Sequence, residues 1–497
     1  MDQQRSNLMQ KSTPHNLLWQ AAVLALFVVL IGALAVSNAR PARADEQPAD
    51  ATRDTPRSPA DLQPATSKKD TEIPGPTSHW PQLVGAQYTW IRQFQSSLHS
   101  PYNGPNSLNP DGDVGATHTV GLYFGWAISN DLQAYFDVEK FMGDGVSNAV
   151  GLGGLSNGDV VRQGSAGLKK RPYVARRYLR YMVPLSDEVT EVGRGQDQIP
   201  GTEARTRFDF KAGTMAITDD FDKNRYANST RTQFMNWALW NNGAWDFAAD
   251  TRGFTNGIYA AYVSPKWSLR VGVYQMPSQA NGQDLDAPLS KARGENIELD
   301  VAPNDEGTVV RLLVYRNIAR MGIYQDALTA AAATGTTPNI VAQDADGRKK
   351  VGFGLNVEQP IADEGETGIF MRAGWNDGKT ETFAFTEIDR SFVLGGQIAG
   401  GHWGRDDDRF AAAIALNGLS PAHRQYLAAG GIGFVLGDGK LSYASEQIFE
   451  TYYRIQVGKY QGATVQFSPD FQYIRYPAFN RDCGPVQVAS FRLHVEY

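Results

Sequence analysis

Residues 218–252 read TDDFDKNRYANSTRTQFMNWALWNNGAWDFAADTR and concentrate side chains that can grip a solute. Trp237, Trp240 and Trp245 offer flat apolar faces, while Asp222, Arg231, Asp246, Asp250 and Arg252 offer paired acceptors and donors. A solute with both C–H faces and hydroxyls needs both kinds of group. An exposed loop would rarely hold three tryptophans, whereas a loop folded inside a wall has surfaces to pack them against. The stretch is read as an inward loop that narrows a passage. Trp237 and Trp245 then either pack the loop in place or face whatever passes.

Covalent and metal chemistry find little support. The seven histidines are scattered, with no HExxH and no i,i+4 pair. No GxSxG or P-loop is present. Cys483 is the only cysteine, which excludes an internal disulfide and a cysteine-based metal cluster. The expected inventory is no catalytic residue, no metal and no cofactor. GGIGFVLG at 430–437 loosely echoes a nucleotide-binding glycine pattern but is read as strand glycine. Asp406, Asp407 and Asp408 could hold a hard cation but are read as a solvated loop tip. The net charge of −6 gives no basic footprint for nucleic acid.

The elements that must carry the loop show a period of two. In VGLYFGWAI, Val120, Leu122, Phe124, Trp126 and Ile128 share one parity, and Thr119, Gly121, Tyr123, Gly125 and Ala127 the other. A tight polar turn follows, then LQAYFDVE alternates again, as in a β-hairpin. RFDFKAG, WSLRVGVYQM, NIELDV, KVGFGLNVE and FETYYRIQV repeat the pattern. The apolar face carries aromatics near strand ends, and the other face mixes charges with Gly and Tyr. A soluble sandwich with one wet face has no use for so many glycines there, but a lumen that must accept an inserted loop does. Short connections (129–131, 264–266, 303–307, 362–366, 458–461) alternate with long ones (roughly 99–115, 143–171, 218–251, 318–348). The fold class is therefore all-β, a transmembrane antiparallel β-barrel of about sixteen strands over residues 81–497, with an inward constriction loop. No blade-like repeat supports a propeller.

Residues 1–44 read as a signal peptide, with Arg5 and Lys11 ahead of an apolar run and small-residue cleavage sites, although the run is long enough for an uncleaved anchor. Residues 45–80 are proline-rich and read as a disordered periplasmic leader.

Several long stretches resemble one family. FDKNRYANSTRTQFMNWALWNNGAWDFAADTRGFTNG (221–257), LRVGVYQMPSQANG (269–282), GTVVRLLVYRNIARMGIY (307–324), AGWNDGKTETFAFTEID (373–389), SPAHRQYLAAGGIGFVLGDG (420–439) and the close from 469 to 497 are similar to the carbohydrate-selective porin (porin B) family. The resemblance implies an outer-membrane barrel passing small sugars by diffusion, of the glucose class of mono- or disaccharides. Some relatives look like importers of divalent metal ions such as manganese, which stands as the alternative. An outer-membrane enzyme or adhesin is the third reading.

Lumen parity nominates Arg176, Arg180, Arg207, Lys211, Arg270, Arg311, Glu298, Asp300 and Tyr274 for the solute path. The inward loop adds Asp222, Arg231, Trp237, Trp245, Asp246, Asp250 and Arg252. Each could instead belong to ion-pair ladders that hold the wall. Arg177 falls on the opposite face and is expected near a rim, because a charge at mid-bilayer costs about 2–4 kcal/mol. The last residues, FRLHVEY, set Phe491, Leu493, Val495 and Tyr497 on the lipid face and resemble a terminal signal read by the barrel-assembly machinery. Expected partners are small sugars, outer-membrane lipid and lipopolysaccharide, that machinery, and a homo-oligomer.

Overall fold

The computed structural model describes residues 80–159, 168 and 171–497. The signal-peptide reading and the leader reading, apart from Trp80, lie outside the described residues. Sixteen strands close into one antiparallel barrel. They are β1 (Leu83–Gln95), β2 (Asp113–Ala127), β3 (Leu132–Asp144), β4 (Tyr173–Pro184), β7 (Arg207–Met215), β8 (Thr255–Val263), β9 (Trp267–Gln275), β10 (Arg293–Val301), β11 (Val309–Met321), β12 (Ala345–Ala362), β13 (Thr367–Asn376), β14 (Arg390–Ala399), β15 (Arg409–Gly418), β16 (Glu446–Tyr460), β17 (Ala463–Arg475) and β18 (Val486–Glu496). A separate hairpin, β5 (Val189–Val192) with β6 (Gly201–Ala204), lies in the β4–β7 connection. β18 pairs with β1 from Val488 opposite Gln95 to Glu496 opposite Gln87, so the wall has no free edge.

Alternation sets the two faces of the wall. Val314, Ile297 and Phe353 are 59, 54 and 51% exposed, while their sequence neighbours Leu313, Glu298 and Gly354 are buried. The inward glycines have a more specific use than room in the lumen. A Cβ at Gly85 would lie 2.0 Å from the Tyr123 ring, and one at Gly257 2.2 Å from the Tyr274 ring. These glycines seat tyrosines laid flat along the wall. Gly354 and Gly374 do serve the inward loop, since their Cβ atoms would strike Asn242 at 2.3 and 2.0 Å.

One end carries the brief connections β2–β3, β8–β9, β10–β11, β12–β13, β14–β15 and β16–β17, and the other carries eight longer ones. In an outer-membrane barrel the long connections face outward. The β4–β7 connection departs from the expected pattern, being a long connection at the short-turn end, and it folds into the lumen. Its Gln196 side chain accepts from Gln87 Nε2 at 3.1 Å and donates to Asp137 at 3.0 Å, and Asp197 pairs with Arg176 at 3.1 Å. Two sequence readings need correction. Residues 430–437 are not strand but part of the outer β15–β16 connection, where Glu387 accepts from the Val435 and Leu436 amides. Asp408 is not solvated: it is 1% exposed, pairs with Arg405 and accepts from the Tyr453 hydroxyl at 2.7 Å.

Candidate functional site

The β7–β8 connection, residues 216–254, dives into the barrel and returns. Its first limb runs along β12. Asp222 accepts from Asn356 Nδ2 at 2.8 Å, the Arg225 amide donates to Glu358 at 2.8 Å, and the Tyr226 hydroxyl donates to the Gly365 carbonyl at 2.9 Å. Gly365 belongs to the β12–β13 turn, so the loop reaches the short-turn end. The chain then crosses to β16 and β18. Arg492 Nη1 donates to the carbonyls of Thr230 and Gln233 at 2.7 and 2.6 Å, and Glu450 accepts from the Met235 and Asn236 amides. Asn236 caps the short helix α1 (Trp237–Trp240) by accepting from the Ala238 amide at 3.0 Å.

The nominated residues fall into four groups. On β3, β4 and β7, Arg176 meets Asp137, Asp197 and Asp219, and Arg180 and Arg207 share Glu203 and Asp209. Lys211 pairs with Asp220 at 2.6 Å. On β9 to β12, Arg270 pairs with Asp300 at 2.6 Å and Arg311 with Glu358 at 3.1 Å, while Glu298 accepts from the Asp222 amide at 2.8 Å. In the loop, Asp222 pairs with Arg372 at 3.0 Å and Asp246 with Lys350 at 3.0 Å. Arg231 reaches Glu139 and Asp159, both at 3.0 Å. Near the outer rim, Asp250 and Arg252 pair with each other at 3.4 Å, and the Arg252 guanidinium lies over the Tyr173 ring.

Burial then sorts the aromatics. Trp245 is fully buried and donates to Asn296 at 3.0 Å, and Tyr274 is fully buried against Phe221. Both hold the loop to the wall. Trp237 is half-buried and stacks on Phe385 with centroids 5.2 Å apart and planes 9° apart. Trp240, also half-buried, meets Phe385 edge-on at 5.6 Å. Trp237 donates to the Asn157 carbonyl at 2.7 Å, which brings the β3–β4 connection beside the indoles. That connection carries Asp159, the partner of Arg231, so aromatic faces and a charge pair stand together. Asp159 titrates higher than an ordinary carboxyl because it is buried, and Arg231 only partly offsets this.

Sequence reasoning named Trp240 among the loop's aromatic faces but did not nominate it for the solute path, nor did it nominate Phe385, Asp159, Lys223, Arg454 or the pore-facing Arg492. Trp240 was visible within WALW, where i,i+3 spacing places it on the same helical side as Trp237. The two wall arginines were visible by strand parity. Lys223, Arg454 and Arg492 form no ion pair among the described residues. Arg454 instead donates to the Thr232 carbonyl at 3.4 Å.

The closed sixteen-strand wall with an inserted loop has the fold of outer-membrane porins. More particularly, the chain belongs to the carbohydrate-selective porin OprB family, whose model matches residues 107–497. OprB of Pseudomonas putida in its high-pH structure is similar, with 15% identity and a TM-score of 0.60 over 83% of this chain and 94% of that one. The outer-membrane channel DcaP of Acinetobacter baumannii matches at 10% identity and a TM-score of 0.45, over 84% of this chain and 96% of that one. No curated protein sequence matches the chain.

Proposed function

We propose that this porin passes small neutral carbohydrates of the glucose class by passive diffusion past the loop of residues 216–254. The observation that carries the reading is the pair of half-buried indoles, Trp237 and Trp240, set around Phe385 beside the Arg231–Asp159 pair. Indole faces suit the C–H surface of a sugar ring, and a guanidinium beside a carboxylate can donate to and accept from its hydroxyls. A hydroxyl does both, so such a neutral mixed site favours a polyol over a simple ion. The divalent-cation alternative ranks second. Lumen carboxylates are largely committed to arginines, lysines and loop amides, and the described residues hold no group of three metal-ligating side chains.

In a planar bilayer the protein should give ohmic steps that glucose reduces in a saturable way. Trp240→Ala should weaken that block by about tenfold or less, the worth of one aromatic contact of ~0.5–1.5 kcal/mol. Conductance indifferent to every mono- and disaccharide would sink the proposal, and rescue of manganese uptake in a deletion strain with no sugar effect would favour the alternative.

A further inference from the structure

The outward face carries an ordered feature that sugar passage does not use. Along one hydrogen-bonded row across seven neighbouring strands the residues are polar on six, interrupted by the buried Ile318 of β11. Arg177 of β4 stands opposite Thr214 of β7, and Thr214 opposite Asn256 of β8. Gln275 of β9 stands opposite Arg293 of β10, Arg293 opposite Ile318 of β11, and Ile318 opposite Lys349 of β12. Hydrogen bonds link the first part of this ledge. The Thr214 hydroxyl donates to Asn256 Oδ1 at 2.7 Å, and Asn256 Nδ2 donates to Gln275 Oε1 at 2.9 Å.

Charge on the ledge is one-sided. Arg293 and Arg316 share the single carboxylate Glu295, which accepts from their Nε atoms at 2.7 and 2.6 Å. Arg177 and Lys349 are exposed and form no ion pair among the described residues. On β10, β11 and β12 three cations, Arg293, Arg316 and Lys349, therefore face one acid, on a chain whose net charge is −6. Cations further out are already matched: Arg320 lies 3.9 Å from Asp344, and Arg348 lies 3.3 Å from Asp326.

Just below the ledge the wall is apolar. Leu179, Ile258, Val271, Ile297, Val314 and Phe353 are all 40% or more exposed. β9 spans nine residues from Trp267 to Gln275. At ~3.3 Å per residue and a tilt of ~40°, it climbs about 20 Å, close to the apolar band of ~25 Å of such barrels. At β9 and the neighbouring β10 the row thus lies at the outer margin of the hydrocarbon, on the side of the long connections.

We infer that Arg293, Arg316 and Lys349, on the adjacent strands β10, β11 and β12, form a docking site for the phosphate groups of a phosphorylated lipid in the outer leaflet, whose acyl chains lie on the apolar wall below. Guanidinium groups bind phosphate oxygens through paired N–H donors, and the continuity with the apolar wall selects a lipid over a free anion. Arg316 keeps about half of its side chain exposed (47%) while bound to Glu295, so it can take a second acceptor without losing the first.

The test uses the full barrel in phosphatidylcholine nanodiscs doped with either bisphosphorylated or fully dephosphorylated lipid A. Lipid retained after transfer to detergent is counted by native mass spectrometry. The bisphosphorylated form should be retained at least about tenfold better, and R316Q/K349Q should remove that preference. Both side chains point away from the lumen, so heat-modifiable gel migration and conductance should stay as in the unaltered protein. Lys349→Gln alone should reduce the preference partly, which keeps the test open if the double variant fails to fold. Equal retention of the two lipids, or an undiminished preference in a folded variant, would overturn the inference. So would displacement of the lipid by millimolar inorganic phosphate, which would mark a small-anion site.

Discussion

Asp246 accepts from the Phe383 and Ala384 amides and pairs with Lys350, and that choice of partners recurs through the interior. Glu298, Glu358 and Glu450 accept from loop amides, while Arg372 and Arg492 donate to loop carbonyls. A loop inside a barrel has no strand of its own to satisfy its backbone, and an unpaired buried amide costs roughly 1–3 kcal/mol. Wall charges satisfy that backbone. The same logic holds the outer connections at His423, on α3 (Pro421–Ala428). Its Nδ1 lies 3.1 Å from Asp389, and its ring stacks on Tyr324 of α2 (Tyr324–Thr334) at 4.3 Å, joining three connections. Burial alone would lower this imidazole, but Asp389 and then Glu387 outweigh it and lift it to about 9. A raised histidine stabilises the fold fully below its ordinary value of ~6.5, and that contribution fades as pH rises through about 9. The outer connections should therefore grow more susceptible to protease between about pH 7 and about pH 10, and His423→Gln should abolish most of that dependence. Equal protection across the range would exclude that role for His423. Parity showed which residues face inward but not what they meet. Arg176 was legible as a lumen arginine, yet Asp197 and Asp219 come from connections whose paths no period encodes.

At the scale of elements, the inward loop is clamped on both limbs, and Arg372 is central to the first. It pairs with Asp222 and donates to the carbonyls of Asp222, Leu239 and Ala227. Arg372→Met would leave Asp222 buried without its cation, a change that typically costs about 3–5 kcal/mol. Because the wall is held by its own ladder, the expected outcome is a barrel that still forms, with a loosened loop. Single-channel recordings should show larger, noisier steps and a weaker glucose block. Unchanged conductance and block would mean that the loop is held without this arginine. The loop itself was legible because three tryptophans cannot sit in an exposed connection. The inward β4–β7 segment was not legible, because Gln196, Asp197 and Glu203 look like any polar turn. Their burial follows from arginines on neighbouring strands.

For the whole molecule, the barrel class and the faces of the strands with clear alternation were readable from a period of two, since lipid and lumen impose opposite demands on alternate residues, while the count of about sixteen came from chain length and the family resemblance. The terminal aromatic lies at the seam: the Tyr497 amide and carbonyl bond Ala86 at 2.9 and 3.0 Å, and Arg194 lies over the ring. We propose that Phe491, Leu493, Val495 and Tyr497 also serve as the assembly signal. Removing Tyr497, or placing a charge there, should lower the amount of barrel in the membrane several-fold and change conductance per assembled channel little. Normal amounts of assembled protein would exclude that role.

The seam has a kinetic meaning. β1 and β18 are the strands furthest apart along the chain, so every other hairpin can form locally while this pairing waits. Closing a loop of roughly 400 residues costs about 5 kcal/mol of chain entropy. Until it is met, two strand edges stand open to neighbouring chains. Vulnerability to aggregation and proteolysis is thus concentrated in the interval before the last strand arrives, and a seam weakened at Phe491 or Leu493 would lengthen that interval without leaving a trace in the finished channel.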